Sequence, residues 1–257
     1  MEVKLSVVVI TYNESKNIGR CLESVRNIAD EMLVVDSYSQ DDTVAIAGSY
    51  GAKVVEHTFH GHIEQKNFAI TQAKYPHILS LDADEALSDA LQKKIADIKQ
   101  NWEYDGYSFN RLTNYCGRWI RHGGWYPDIK TRLVDSRLGS WQGNNPHDKY
   151  VLKKGSSLYH VDEDILHYSY YTVSEHLKQI DYFSGIKADV LYKKGIKPNR
   201  IKLYFASGFK FFSGYFLKGG FLDGYEGYMI ARLSAASTLL KYYKLRKAHS
   251  DNDMEKN

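Results

Sequence analysis

Apolar residues along this chain come in short runs separated by polar stretches of helical period. Residues 4–11, K-L-S-V-V-V-I-T, form a β-branched run of the length of one strand buried on both faces. The run stops at Tyr12-Asn13-Glu14. Ser15 stands where a helix cap is wanted, and Ile18, Leu22 and Val25 follow on one helical face. A second apolar run at 32–35 ends in Asp36, the polar loop S-Y-S-Q-D-D-T spans 37–43 ahead of a further helix, and 52–55 reads as a third strand. A helix over 64–73 then leads to the strand 76–81. Strands alternating with helices predict an α/β fold with a mainly parallel central sheet flanked by helices, and ligands bind such sheets beyond the C-terminal ends of the strands. Tyr12, Asp36 and Asp82 all stand at those ends.

The fourth of these strands carries the chemistry. Ile78, Leu79 and Leu81 lead directly into Asp82, Ala83, Asp84 and Glu85, so a buried strand ends by delivering three carboxylates to one place. Hard oxygen donors of this kind suit magnesium or manganese, and such a metal is most useful where it also holds a diphosphate. An acidic turn opening the next helix is the plainer use of the same residues.

Beyond Glu85, Leu91, Ile95 and Ile98 mark a helix starting near Ser88, and alternation at Tyr107, Phe109 and Arg111 marks a strand. The segment 116–127, C-G-R-W-I-R-H-G-G-W-Y-P, gathers aromatic rings and polar groups in a loop, the combination with which proteins grip sugar rings. Thr172 and Glu175 form a capping box for a helix running to Lys193-Lys194 and ending at Gly195, expected to pack on the sheet domain. From Arg200 the composition shifts to aromatic and basic residues. Lys210, Lys218, Asp223, Glu226 and Arg232 interrupt the apolar runs too often for a membrane span, so an amphipathic helical extension lying in the membrane surface is expected, with an oligomer interface as the other use of that face. The predicted organisation is a catalytic domain over 1–199 and this extension over 200–257.

Composition sharpens little of this. With 257 residues, 43% of them hydrophobic, the chain can bury a sizeable core, and a net charge of +3 gives no reason to expect a nucleic-acid partner. Cys21 and Cys116 lie far apart and read as reduced thiols rather than a disulfide or zinc site. Nothing near Met1 has the pattern of a signal peptide, which places the chain in the cytoplasm. Motifs exclude more. No G-x-G-x-x-G follows the first strand, as a dinucleotide-binding dehydrogenase would have, and no P-loop glycine cradle occurs either. A sugar nucleotidyltransferase would need such a glycine-rich basic loop where T-Y-N-E stands. Phosphate is therefore left to a metal and basic side chains.

The strand V-V-V-I-T-Y-N-E, the strand end V-V-D-S-Y-S-Q-D-D-T, Q-K-N-F-A-I and L-S-L-D-A-D-E follow the order and spacing of the family 2 glycosyltransferases, which have the GT-A fold. The later G-G-W-Y-P-D-I-K-T-R-L-V and P-H-D resemble the lipopolysaccharide core subgroup, so the resemblance covers most of the chain. It implies an inverting, metal-dependent transferase using a nucleotide-diphosphate sugar, a UDP-sugar by preference, with magnesium or manganese. The acceptor it implies is a lipid-linked core oligosaccharide at the inner face of the cytoplasmic membrane. A polyprenyl-phosphate acceptor, which needs no base, and a non-catalytic nucleotide-sugar sensor are the alternatives.

Residue by residue, the resemblance matches Tyr12 to stacking on the donor base and Asp36 to bonding the base or ribose, with Glu14 in the same turn. Lys66 matches a basic residue near the diphosphate, and Asp82 and Asp84 match the metal-binding D-x-D. Arg121, Trp125 and Tyr126 fall on the acceptor side. Where the family usually has His-Glu, this chain has His147-Asp148, which keeps a carboxylate for the base with a reach one methylene shorter. Asp128 in Y-P-D is the other carboxylate suited to that role, and His167 is placed either to approach the diphosphate or metal, or to serve as a buried structural histidine.

Overall fold

Strand β1 (Leu5–Thr11) has no polar face. Leu5, Val7 and Val9 enter one apolar cluster and Val8 the other, so it lies inside a sheet covered on both sides. The computed structural model describes residues 2–144, 147–197 and 200–254, with backbone alone at 144, 147, 200–204 and 251–254. β2 (Glu31–Asp36), β3 (Lys53–Glu56) and β4 (His77–Asp82) extend the sheet in parallel, in the order β3-β2-β1-β4. The helices between them are α1 (Ile18–Val25), α2 (Thr43–Ser49) and α3 (His62–Gln72).

Past β4 the sheet turns mixed. A two-residue turn at Ala83-Asp84 is followed by a short strand β5 (Glu85–Leu87), which the sequence pattern had merged into the approach to the next helix. Helix α4 (Asp89–Gln100) then begins where expected, with the Ser88 hydroxyl accepting from the Leu91 amide. β6 (Gly106–Tyr115), β8 (Asp128–Asp135) and β11 (Leu158–Tyr170) complete the path β4-β8-β6-β11-β5, β8 running antiparallel to both β4 and β6. A separate two-stranded ribbon pairs β9 (Gly139–Asn144) with β10 (His147–Leu152) and sets Asp148 opposite Gly143. Only glycine fits at 139, because a Cβ there would stand 2.6 Å from the Val151 carbonyl and 2.5 Å from the Tyr150 ring.

Contacts divide the chain into two units. The first comprises the residues up to Leu112 together with Asp128–Tyr168 and contains both sheet-facing clusters. The second comprises Thr113–Pro127 and the residues from Ser169 onward. In it, β7 (Arg118–Ile120) pairs with the end of β6, and helices α5 (Val173–Lys193) and α6 (Arg200–Phe212) pack along α7 (Gly224–Met254). The Thr172–Glu175 capping box is present on α5. The boundary expected at 199 thus falls inside the second unit, because α5 shares its packing with α7. Glycine at 227 is obligatory: a Cβ would come within 1.9 Å of the Gly220 carbonyl oxygen.

Candidate active site

The two-residue period of a strand decides what meets what at the end of β4. Ile78 faces the cluster under α3, so Asp82, four residues on, emerges on the same side. Val134 of β8 faces that cluster too, and Arg132 therefore points the same way. Lys66 of α3 comes down onto both. Its ammonium lies 3.0 Å from Asp82 Oδ1 and 2.8 Å from Asp148 Oδ2 on the ribbon, while Arg132 Nη2 donates to Asp82 Oδ2 at 2.8 Å. Only 3% of the Lys66 and Arg132 side chains is exposed, so neither is a solvated surface cation. Burial opposes the charge on Asp82 and on Asp148. The cations Lys66 and Arg132 outweigh it in both cases, holding Asp148 below the ordinary carboxyl range and Asp82 well below it.

Each residue of the Q-K-N run in α3 fastens a different piece. Gln65, fully buried, bonds Ser37 beyond β2 and the ring and carbonyl of His57 beyond β3. Lys66 takes the two carboxylates. Asn67 exchanges two hydrogen bonds with the backbone of Trp141 in β9, at 2.9 and 3.0 Å, which presses the ribbon against α3 and brings Asp148 within reach. Trp141 in turn offers its ring to the Lys66 ammonium at 4.5 Å and to the Arg132 guanidinium at 5.4 Å.

Glu85 does not join Asp82 and Asp84 as a third donor. It turns inward, accepting from the Asp82 amide and from Arg132 (2.7 Å) and Arg111 (3.3 Å). Arg111 also clasps Asp128 through two donors, and Lys130 adds a third contact at 3.0 Å. Burial works against the Asp128 charge, but Arg111 and Lys130 prevail and hold its carboxyl below the ordinary range. Four cations thus face four carboxylates. Arg132 and Arg111 were not singled out from the sequence; the alternation of β6 marks Arg111, which pairs with Asp128 of β8, whereas a register shift in β8 between Thr131 and Leu133 takes Arg132 out of step with Asp128 and Lys130.

The rim differs in charge. Asp84 is bonded to His167 Nε2 at 3.1 Å, and its carbonyl accepts from the Tyr168 amide. Glu14 is pushed up to about 7, first by burial and then by the negative charges of Asp84 and Asp41. Tyr12 leaves 56% of its surface open. The turn behind it is laced to the loop after β2, since Asn13 exchanges bonds with Ser39 and Gln40 while the Glu14 amide donates to Thr43. Asp36 is fully buried and holds that loop through the Ser39 amide and hydroxyl. Asn13 has φ 53°, a left-handed conformation that asparagine tolerates.

Among the described residues no three His, Cys, Asp or Glu side chains converge as a ready cation site. The pair Asp84 and His167, with Glu14 titrating high nearby, still fits a manganese or magnesium ion that completes its shell with ligand phosphates, since carboxylate oxygen and imidazole nitrogen are both accepted donors. Pro146 and the side chain of His147, beside Asp148, lie outside the described residues. The remaining sequence-predicted residues fall in the second unit. Arg121 lies over the Tyr126 ring at 5.3 Å, and Trp125 packs against Tyr115, Tyr170 and His176.

The raised Glu14 carboxyl has a stability consequence. A group bound more tightly to its proton in the folded state favours folding at low pH, so this contribution is complete below pH 4.5 and is lost as pH rises through about 7. Glu14→Gln should therefore flatten the fall in melting temperature over that interval and match the parent below it. Thermal unfolding followed across pH checks this; parallel curves for the two proteins would show that Glu14 titrates normally.

The sequence model of glycosyl transferase family 2 matches residues 6–156. A glycosyltransferase of Rickettsia bellii is 36% identical over 254 residues, covering 95% of this chain and 86% of the relative. The lipopolysaccharide core biosynthesis glycosyltransferase LpsC of Rhizobium meliloti is 26% identical over 97% of this chain and 94% of its own. In fold, the chain is similar to the mannosyltransferase PcManGT of Pyrobaculum calidifontis, solved with GDP-Man and Mn2+, at 13% identity and a TM-score of 0.54 over 95% of this chain and 87% of that one. That likeness agrees with the GT-A fold implied by the resemblance in sequence. By these matches the chain belongs to glycosyl transferase family 2.

Proposed function

We propose that this glycosyltransferase is inverting and metal-dependent, and that it moves a sugar from a nucleotide-diphosphate donor, a UDP-sugar by preference, to a lipid-linked glycan such as a lipopolysaccharide core. The observation that carries the reading is the buried Lys66 ammonium shared between Asp82 at the sheet end and Asp148 on the ribbon. On this reading Tyr12 stacks on the donor base, and Asp36, through the loop it holds, shapes the nucleoside site. Asp84 with His167 holds the metal, which supplies charge neutralisation for the departing diphosphate. Asp82 has both oxygens engaged by Lys66 and Arg132, so its part is to hold those two cations where diphosphate charge develops. Arg132 keeps two buried donors, Nε and Nη1, without a hydrogen-bond partner among the described residues, an arrangement that favours an incoming anionic oxygen.

Asp148 is the acceptor-side base. A carboxylate held by an ammonium is a weak base, and diphosphate charge competing for Lys66 loosens that hold, raising the affinity of Asp148 for a proton. Asp128 is the second choice because three donors from Arg111 and Lys130 already occupy it. The acceptor side in the second unit is assigned to Arg121, Trp125 and Tyr126. Membrane association is supported by Phe205, Phe209, Phe212 and Phe216, all exposed at helical spacing along α6 and the turn after it, while no helix among the described residues is long and apolar enough to cross a membrane. The name of the LpsC relative favours an envelope glycan as acceptor.

Two outcomes check the assignment. Asp84→Ala and His167→Ala should each weaken manganese binding, read by electron paramagnetic resonance of the free ion, by about tenfold or more without lowering the melting temperature appreciably. Manganese binding unchanged in both would move the metal elsewhere. Asp148→Asn should lower the turnover number about a hundredfold or more with donor affinity kept. Near-normal turnover there, with a loss in Asp128→Asn, would pass the role to Asp128.

A further inference from the structure

Within the second unit, α5, α6 and α7 line an open cavity of about 480 Å³ whose charged lining is all of one sign. Lys187 comes from α5, Lys210 from α6 and Lys241 from α7, and no Asp or Glu stands on its wall. The chain as a whole balances 34 Lys and Arg against 31 Asp and Glu, so three cations on one wall without a carboxylate depart from its own average. None of the three makes an ion pair among the described residues. Ser234 and Ser237 sit one turn apart on α7, and Lys241 follows a turn later on the same face. Among the described residues no hydrogen bond engages either serine hydroxyl, whereas Thr238 donates to the Ser234 carbonyl at 3.0 Å. His176, on the α5 wall, is pushed down to about 4 by burial and adds no charge at neutral pH. Ammonium groups and hydroxyls lining one open cavity with no carboxylate on its wall are the donor set of an oxyanion site.

Two neighbours of the cavity narrow the anion. Lys210 and Ser234 also line a smaller cavity of about 110 Å³, walled by Gly123, Gly124, Trp125 and Asp223, whose carboxylate is taken up by His122. The first three belong to the loop assigned above to the acceptor. On α6, Lys210 directly follows the exposed Phe209, in the aromatic row that suits a lipid surface. We propose that this cavity binds a phosphate ester carried by the glycolipid acceptor, with Lys187, Lys210 and Lys241 neutralising it and Ser234 and Ser237 donating to its oxygens. The proposal rests on the lipid-linked acceptor reading and adds to it a recognition element apart from the nucleotide site.

The test uses full-length protein and phosphatidylcholine vesicles with and without phosphatidic acid, whose headgroup is a phosphomonoester. Binding by sedimentation should require phosphatidic acid. Lys210→Gln with Lys241→Gln should weaken it about tenfold or more, and Ser234→Ala with Ser237→Ala by a smaller factor. Lys193→Gln with Lys194→Gln removes the same charge from the exposed end of α5, outside the cavity, and should leave binding near that of the parent. Competition by soluble glucose 1-phosphate would assign recognition to the ester itself. Resistance to it, with the cavity variant still defective, would assign recognition to the headgroup at the lipid surface. Equal loss in the cavity and control pairs, or no binding of either probe by the parent, overturns the proposal. Thermal shift with nucleotide sugar and manganese on the same proteins keeps the two readings apart, because the cavity variants should retain the donor shift and only failure of the transferase reading would remove it from the parent.

Discussion

The structure of the first unit depends on one buried ammonium. Lys66 stands on a helix, Asp82 at the end of a sheet strand and Asp148 on a ribbon outside that sheet, so a single side chain fixes three independently formed elements. Taking three charges out of water is unfavourable, and the mutual attraction roughly offsets it; the large number is the penalty for removing one member, about 3–5 kcal/mol, since the others are then left buried and unpaired. The arrangement is better understood as a device for position than for stability. Arg132 extends it to Glu85, and Arg111 carries it on to Asp128, until every inner carboxylate faces a cation.

Against that balanced interior the rim is short of positive charge. Burial, reinforced by the negative charges of Asp84 and Asp41, makes Glu14 hold its proton up to about 7, and His167 is the basic side chain bonded to Asp84. The contrast separates two tasks that a D-x-D motif compresses into three residues. The first aspartate, the last residue of β4, belongs to the cation network, and the second, in the turn after that strand has ended, pairs with His167. A site that neutralises itself inside and stays electronegative at its edge suits a ligand arriving as an anion together with a divalent cation.

Much of the first unit was legible in the sequence because its signals are local. β-branched runs, helical spacing after Ser15 and the carboxylates ending β4 gave the parallel half of the sheet in order, and Ser88 and Thr172 marked helix starts that are present. What was not legible depends on tertiary pairing. β5 is three residues long, too short for a period, and the ribbon β9–β10 has its apolar residues confined to Trp141 and to Tyr150, Val151 and Leu152, too few on either strand to show one. The burial of Lys66 had no local mark, since a lysine on a helix looks the same in sequence whether it faces solvent or two carboxylates. Arg132 lay within a quoted motif, yet its role appears only once Val134 shows which way the strand faces. The helix α5 was expected on the sheet domain; its packing along α7 depends on a partner fifty residues away, which no window of sequence contains.

The most direct measurement of the claim that Lys66 binds ribbon to sheet end is a double-mutant cycle between Lys66→Met and Asp148→Asn, read as unfolding free energy by denaturant titration. The account predicts strong coupling, on the order of 1–3 kcal/mol, with the double variant much less destabilised than the sum of the singles. Additive losses, within the few tenths of a kcal/mol expected for independent sites, would contradict it and leave Asp148 without the tie that places it at the site.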